Sequence, residues 1–110
     1  MIRKVDAISE KYDIPIVNFG HAGDGNIHVN VMIDKKIPGE LEKAEKAIEE
    51  VFRGALALGG TMSGEHGVGI AKAAYIPLEI TPQTANYMKT LKKALDPNNI
   101  LNPGKIFLED

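Results

Sequence analysis

Residues 14–33, IPIVNFGHAGDGNIHVNVMI, contain two strand-like runs around a short segment that is half glycine. The runs are residues 14–19 and 26–33, and the glycine-rich segment between them is typical of a turn between strands. In the second run, alternate side chains point to opposite faces of a sheet. One face is apolar, whereas the other carries His28 and Asn30. We therefore expect a pair of strands with one buried face.

Three further segments have the spacing of amphipathic helices. Residues 2–12 place apolar side chains at near-helical intervals, and residues 40–58 carry an apolar stripe that starts at Leu41. Residues 82–95 carry a second stripe and follow Thr81, a residue type that caps helices well. We expect both stripes to lie in the core. The predicted fold is α+β, an antiparallel sheet with helices packed on one face.

Charge and composition exclude several classes of function. The 110 residues carry 13 Lys and Arg against 15 Asp and Glu, a formal net charge of −2 that argues against a nucleic-acid-binding surface. The absence of cysteine excludes disulfides, thiolate metal sites and a cysteine nucleophile, and it agrees with a cytoplasmic location. No apolar run approaches the roughly 20 residues of a membrane-spanning helix. We expect a soluble domain without a transmembrane segment.

All three histidines lie in the two most glycine-rich stretches. His21 and His28 belong to GHAGDGNIH, and His66 follows Glu65 in GTMSGEHGVG. Imidazole and carboxylate groups suit divalent first-row metals, and two histidines with one glutamate leave a coordination position open for substrate. The residues alone leave other interpretations open. Each histidine can be a hydrogen-bonded structural residue, and each glycine-rich stretch can be no more than a turn.

Three motifs resemble the C-terminal domain of FAD-linked oxidases. They are NFGHAGDGNIHVNV at residues 18–31, GGTMSGEHGVGIAK at 59–72 and DPNNILNPGKIF at 96–107. The family contains the glycolate oxidase flavin subunit, D-lactate dehydrogenases and D-2-hydroxyglutarate dehydrogenase, and the motifs follow its order over residues 1–108. The resemblance implies a ferredoxin-like half of the cap domain, which closes over the flavin.

The resemblance also implies roles for individual side chains in the first two motifs. His21, His28 and Glu65 correspond to the ligands of a divalent metal ion such as zinc, manganese or iron. His66 corresponds to the general base, which also contacts the substrate. Asn30 corresponds to a second substrate-binding residue.

By the same resemblance the chain has two parts. Residues 1–95 correspond to part of the cap or substrate domain, and residues 96–110 to a C-terminal segment that packs against the flavin domain. In that segment Asn102, Gly104 and Lys105 are implied to bind the cofactor, FAD. The flavin-binding domain is absent from this chain, so we expect FAD to be bound mainly by a separate domain or subunit. We expect the isolated chain to be inactive.

The implied function is oxidation of a small 2-hydroxy acid, of the glycolate or D-lactate type, to a 2-oxo acid. The implied partners are that substrate and a flavin-binding domain or subunit, and exposed apolar surface favours a homo-oligomer. The expected location is the cytoplasm, at the membrane periphery if the protein joins a larger complex. Two alternatives use the same residues: a metal-dependent hydrolase, and a metal-binding or partner-binding module without catalysis of its own.

Overall fold

The computed structural model of the chain describes residues 1–108. It divides into two compact units, residues 1–64 and the part that starts at Glu65, and each is described by itself below. Single turns of 3-10 helix lie at Ala22–Asp24 and Ala73–Tyr75. The helices and strands are, in chain order, α1 (Ile2–Tyr12), β1 (Ile16–His21), β2 (Asn26–Val31), α2 (Glu40–Ala57), α3 (Ile76–Glu79) and α4 (Pro82–Leu95).

The first unit is built on an antiparallel hairpin. Strands β1 and β2 pair so that Ile16 lies opposite Val31 and Phe19 lies opposite His28. Because residues opposite each other point to the same side, the pairing separates the sheet into two faces. One carries Ile16 and Val29 and packs against the helices. The other, which we call the outer face, consists of Val17, Phe19, His21, Asn26, His28 and Asn30.

The core of the first unit lies between the helix-facing side of the hairpin and the helices α1 and α2. Val5 and Ile8 of α1 meet Ala47 and Val51 of α2, and all four are buried. Ala47 is fully enclosed, at 0% exposure, because its small side chain lets the two helices approach closely. Leu41, predicted to begin the core stripe, is instead 51% exposed because it lies at the start of α2, away from this contact.

Both strands differ slightly from the predicted segments. The predicted run 14–19 becomes β1 at Ile16–His21, and the predicted run 26–33 ends as β2 at Val31. Strand β1 starts after Pro15, which has no backbone N–H to donate to a ladder. It continues through the first glycine of the turn segment, so His21 belongs to a strand and not to a loop.

The second unit contains α3, α4 and the tail that follows them. Helix α4 starts as predicted: Thr81 accepts a hydrogen bond from the backbone N–H of Thr84, and Pro82 occupies the first turn. The tail is ordered by Asp96, which is buried and accepts hydrogen bonds from the N–H groups of Ile100 and Leu101. Lys92 donates to the same carboxylate.

The prediction that the apolar stripe of α4 lies in the core is wrong for this unit. No residue of α4 is buried, and Leu91 and Leu95 are 45% and 82% exposed. Of the apolar tail residues, Ile100 and Leu101 are also exposed. Amphipathic spacing predicts which side of a helix is apolar, but it does not predict whether another element packs against that side. This explains why the apolar side of α4 is exposed although it was predicted to lie in the core.

The predicted α+β class is confirmed: the hairpin is antiparallel, and α1 and α2 pack on one of its faces. The boundary between the two compact units lies between residues 64 and 65. The predicted boundary between residues 95 and 96 separates the cap domain from the segment that packs against a flavin domain, and it stays a prediction. The last two residues of the predicted segment 96–110 lie outside the described residues. Within residues 1–108, no helix has the length and apolar character needed to cross a membrane.

Candidate metal and substrate site

Two histidines predicted to be metal ligands lie together on the outer face of the hairpin. His21 is the last residue of β1 and pairs with Asn26, and His28 follows two residues later on β2. Their ring centroids are 6.0 Å apart with the planes at 75°. Phe19, directly opposite His28, stacks on it at 5.0 Å. The period of two along each strand and the register of the hairpin are therefore what bring the imidazoles together.

Gly20 allows the strands to approach closely beside these histidines. A side-chain carbon added to Gly20 would lie under 3.0 Å from the backbone oxygen of Asn26. Any residue larger than glycine would push the two strands apart at this pair. Glycine is therefore required at position 20 for steric reasons, and not only because it makes a turn flexible.

Glu65 reaches the same face from the loop that follows α2. The residue before Glu65 in the chain, Gly64, lies against the side chain of Asn26. A side-chain carbon added to Gly64 would come under 3.0 Å from the Asn26 Oδ1 atom. One ligand atom each from His21, His28 and Glu65 lies within 4.8 Å of the others. The three side chains therefore lie close together, and their role as metal ligands stays a prediction.

The donor set can be tested against the geometry of a metal ion. In a tetrahedral site, two ligands at about 2.0–2.2 Å from one ion lie about 3.3–3.6 Å apart. The observed limit of 4.8 Å exceeds this spacing by about 1.2–1.5 Å. His21 and Glu65 are exposed and His28 is half-buried, and their side chains would have to rotate toward one another to hold an ion. Nitrogen and carboxylate donors of this kind fit a divalent first-row ion.

His66 and Asn30, predicted to contact substrate, are both exposed. His66 Nε2 lies 4.0 Å from Glu65 Oε1, and its side chain is 73% exposed. Asn30 lies on the outer face two residues beyond His28, opposite Val17. Asn30 shares a strand face with His28, and His66 is the chain neighbour of Glu65. The predicted substrate contacts of Asn30 and His66 stay predictions.

The predicted flavin-binding residues form a tight turn in the tail. Asn102 and Gly104 both have left-handed backbone conformations, at φ 51° and 72°. The Lys105 ammonium donates to the Pro103 carbonyl at 3.3 Å. A cationic side chain on a compact turn fits the electron-rich, carbonyl-bearing edge of a flavin. The predicted role of Asn102, Gly104 and Lys105 in binding FAD stays a prediction.

Two contributors to the site were not anticipated from sequence. Phe19, 57% exposed on the outer face, stacks on His28, and Asn26 lies against Gly64. The signal for Phe19 was available, because a residue two positions before His21 on a strand shares its face. No sequence signal indicates that Asn26 meets Gly64, since they are far apart in the chain.

Comparison with known proteins identifies the family. The profile of the family described as FAD linked oxidases, C-terminal domain, matches residues 1–106. The chain belongs to this family. The predicted resemblance of the three motifs to the C-terminal domain of FAD-linked oxidases is thus confirmed.

Similar proteins carry the names that this family predicts. The FAD-linked oxidase C-terminal domain is 48% identical over 110 residues to the glycolate oxidase subunit GlcD of Bacillus subtilis, covering 100% of this chain and 23% of that protein. It is 42% identical over 103 residues to the probable mitochondrial D-lactate dehydrogenase of Danio rerio, covering 94% and 20%. It is 40% identical over 110 residues to the D-2-hydroxyglutarate dehydrogenase of Stutzerimonas stutzeri, covering 96% and 24%. The chain thus spans about a quarter or less of these relatives.

Proposed function

We propose that this domain supplies the metal ligands and the general base for an FAD-linked oxidation of a 2-hydroxy acid to a 2-oxo acid. The metal ligands are His21, His28 and Glu65, and the base is His66. The observation that carries the proposal is the convergence of three ligand atoms within 4.8 Å on the outer face of the hairpin. The names of the relatives support this class of substrate.

Each side chain has a task in this reaction. When bound, a divalent ion would act as a Lewis acid toward the substrate oxygens, and FAD would accept the hydride lost from the substrate Cα. An imidazole nitrogen of His66 accepts the hydroxyl proton, since a neutral imidazole carries a lone pair that can take up a proton. The Asn30 amide donates a hydrogen bond to the substrate carboxylate and orients it. The products are a 2-oxo acid, a protonated His66 and a reduced flavin, which balances the two electrons lost.

The site supports this function better than the alternatives. A hydrolase built on the same ligands would have no use for the turn at residues 102–105, whereas an FAD-linked reaction gives it a partner. A domain that binds metal without catalysis would have no use for an exposed imidazole directly beside a ligand carboxylate, which is the position of His66.

The first experiment measures metal binding by the chain. We expect the apo chain to bind about one equivalent of zinc in a calorimetric titration. We expect His28→Ala to weaken that binding by at least about tenfold, because one of three protein ligands is removed. The control is His66→Ala, which we expect to retain zinc because His66 is proposed as a base. Equal zinc affinity in His28→Ala and the wild type would contradict the metal site.

The wider setting of the domain is part of the same proposal. We propose a flavin-binding domain or subunit as its partner, a cytoplasmic location and, for the chain alone, self-association. The name of the fish relative specifies mitochondria, so cell fractionation tests the location directly. Exposed apolar residues such as Val17 and Phe19 support self-association, and sedimentation velocity tests it.

A further inference from the structure

A backbone hydrogen bond joins the tail to the loop that carries His66. We call residues 64–69 the GEHG loop. The Ile106 N–H donates to the Gly69 carbonyl at 2.8 Å. Residues 70–73 then enter a helical turn, in which the N–H of Ala73 donates to the Ile70 carbonyl. The bond from Ile106 therefore holds the GEHG loop at the end where it enters regular structure.

Ile106 makes this bond from a strained conformation. Its φ is 71°, a value that a β-branched residue rarely adopts. The Phe107 N–H donates to the Lys105 carbonyl across it at 2.9 Å, which forms a γ-turn of the uncommon positive-φ type. Such a backbone persists only where its surroundings hold it.

A second contact holds the γ-turn in place. Lys89 of α4 places its ammonium 5.0 Å from the centre of the Phe107 ring, within the range of a cation–π interaction. Ile106 and Phe107 are both half-buried, unlike most of the tail. The strained residue is therefore tied on one side to α4 through Phe107 and on the other to the GEHG loop through its own N–H.

We propose that Ile106 is a positioning residue, whose backbone N–H fixes the GEHG loop and thereby the placement of Glu65 and His66. This inference rests on the proposed function, in which Glu65 binds metal and His66 is the base. It adds a role for the tail: residues 102–105, implied to face the flavin, lead directly into the residue that holds the metal-binding loop. A loop held before metal arrives need not be ordered on binding, so its ligand binds more tightly.

The decisive variant removes the donor and keeps the side chain. Replacing the Ile106 amide by an ester, with the hydroxy-acid analogue of isoleucine, deletes the N–H. We expect zinc affinity to fall by about two- to tenfold, the range for one hydrogen bond, at unchanged stoichiometry. We expect deuterium uptake in peptides covering residues 64–69 of the zinc-free chain to rise. The matched control is Ile106→Gly, which keeps the N–H and relieves the strain. We expect it to retain wild-type affinity within about twofold and wild-type uptake.

The outcomes separate this inference from the proposed function. If the wild type binds zinc and the ester variant matches it in affinity and in deuterium uptake, the positioning role is wrong while the metal site stands. If the wild type binds no zinc, the metal site is wrong, and deuterium uptake alone decides whether Ile106 holds the loop. A residue with only a general structural role would lower the melting temperature of both variants, without selective uptake at residues 64–69.

Discussion

At the scale of residues, the site depends on two close backbone approaches. Gly20 meets the backbone oxygen of Asn26, and Gly64 meets the side chain of the same asparagine. Asn26 is thus the common neighbour of the strand that carries His21 and of the loop that carries Glu65. Glycine at both positions is what lets each segment lie this close to Asn26.

We predict that Gly64→Ala destabilises the chain by about 1 kcal/mol, since its added carbon would overlap the Asn26 amide and force it to turn away. Chemical denaturation measures the change. The control is Gly23→Ala, because a carbon added there meets nothing within 4 Å. We expect Gly23→Ala to be neutral or stabilising by about 0.5 kcal/mol. Adding Asn26→Ala to Gly64→Ala should restore most of the loss, and a double variant no better than the single one would contradict the overlap.

At the scale of elements, the first unit depends on the contact between α1 and α2. A two-stranded hairpin is marginally stable by itself, so the helices that pack on its inner face must provide most of its support. Ala47, with no exposed surface, lies where α2 meets Val5 and Ile8. The outer face is left uncovered by α1 and α2.

We predict that Ala47→Leu lowers the free energy of unfolding by about 1–3 kcal/mol, because the larger side chain must separate the two helices. Urea denaturation measures the change. Ala57→Leu, at the exposed end of the same helix, is the control and should stay within about 0.5 kcal/mol of the wild type. Equal stability of the two variants would show that α1 and α2 do not pack closely.

Asp96 orders the tail and makes the stability of the chain depend on pH. The Lys92 ammonium, and then the N–H groups of Leu101 and Ile100, lower the pKa of the Asp96 carboxyl below its ordinary value of 3.8. A carboxyl with a lower pKa in the folded state stabilises the fold above the unfolded value, and this contribution disappears as pH falls through the folded value. The effect is therefore complete at neutral pH and is lost in acid.

We predict that Asp96→Asn lowers the melting temperature at neutral pH and that its difference from the wild type shrinks as the pH falls below 3.8. Thermal denaturation followed by circular dichroism between neutral and acid pH provides the measurement. Asp6→Asn, on the exposed side of α1, serves as the control and should show no such pH-dependent difference. A difference between Asp96→Asn and the wild type that is constant across this range would contradict the role of the carboxylate.

At the scale of the whole molecule, the chain is one domain of a family whose named relatives are four to five times longer. Its outer sheet face and the apolar side of α4 are both exposed. The residues that we propose to contact FAD lie in one turn, residues 102–105. A cofactor of that size needs a site that encloses most of its surface.

We therefore predict that the isolated chain does not retain FAD. The measurement is gel filtration after incubation with excess FAD, with flavin absorbance followed across the protein peak. We expect the protein peak to be colourless and the flavin to elute as a small molecule. Stoichiometric flavin in the protein peak would contradict the proposed dependence on a flavin-binding domain.

Sequence patterns predicted the hairpin site in part. Alternation placed His28 and Asn30 on one face, and the glycine-rich turn indicated the strand that precedes them. The exact end of β1 was missed, because Gly20 resembles a turn residue in sequence while the sheet requires it for close approach. His21 was consequently expected on a loop, although it is the last residue of the strand.

The sequence by itself determined the three long helices, the antiparallel pair of strands and the family, because helix caps, side-chain periods and motifs depend on residues close together in the chain. Only the tertiary structure decided that Glu65 joins His21 and His28, that Gly69 is held by Ile106, and that the stripe of α4 is exposed. These features depend on where distant backbone segments meet. Interactions between neighbouring residues cannot specify where distant segments meet, because those contacts follow from the packing and steric fit of the folded chain.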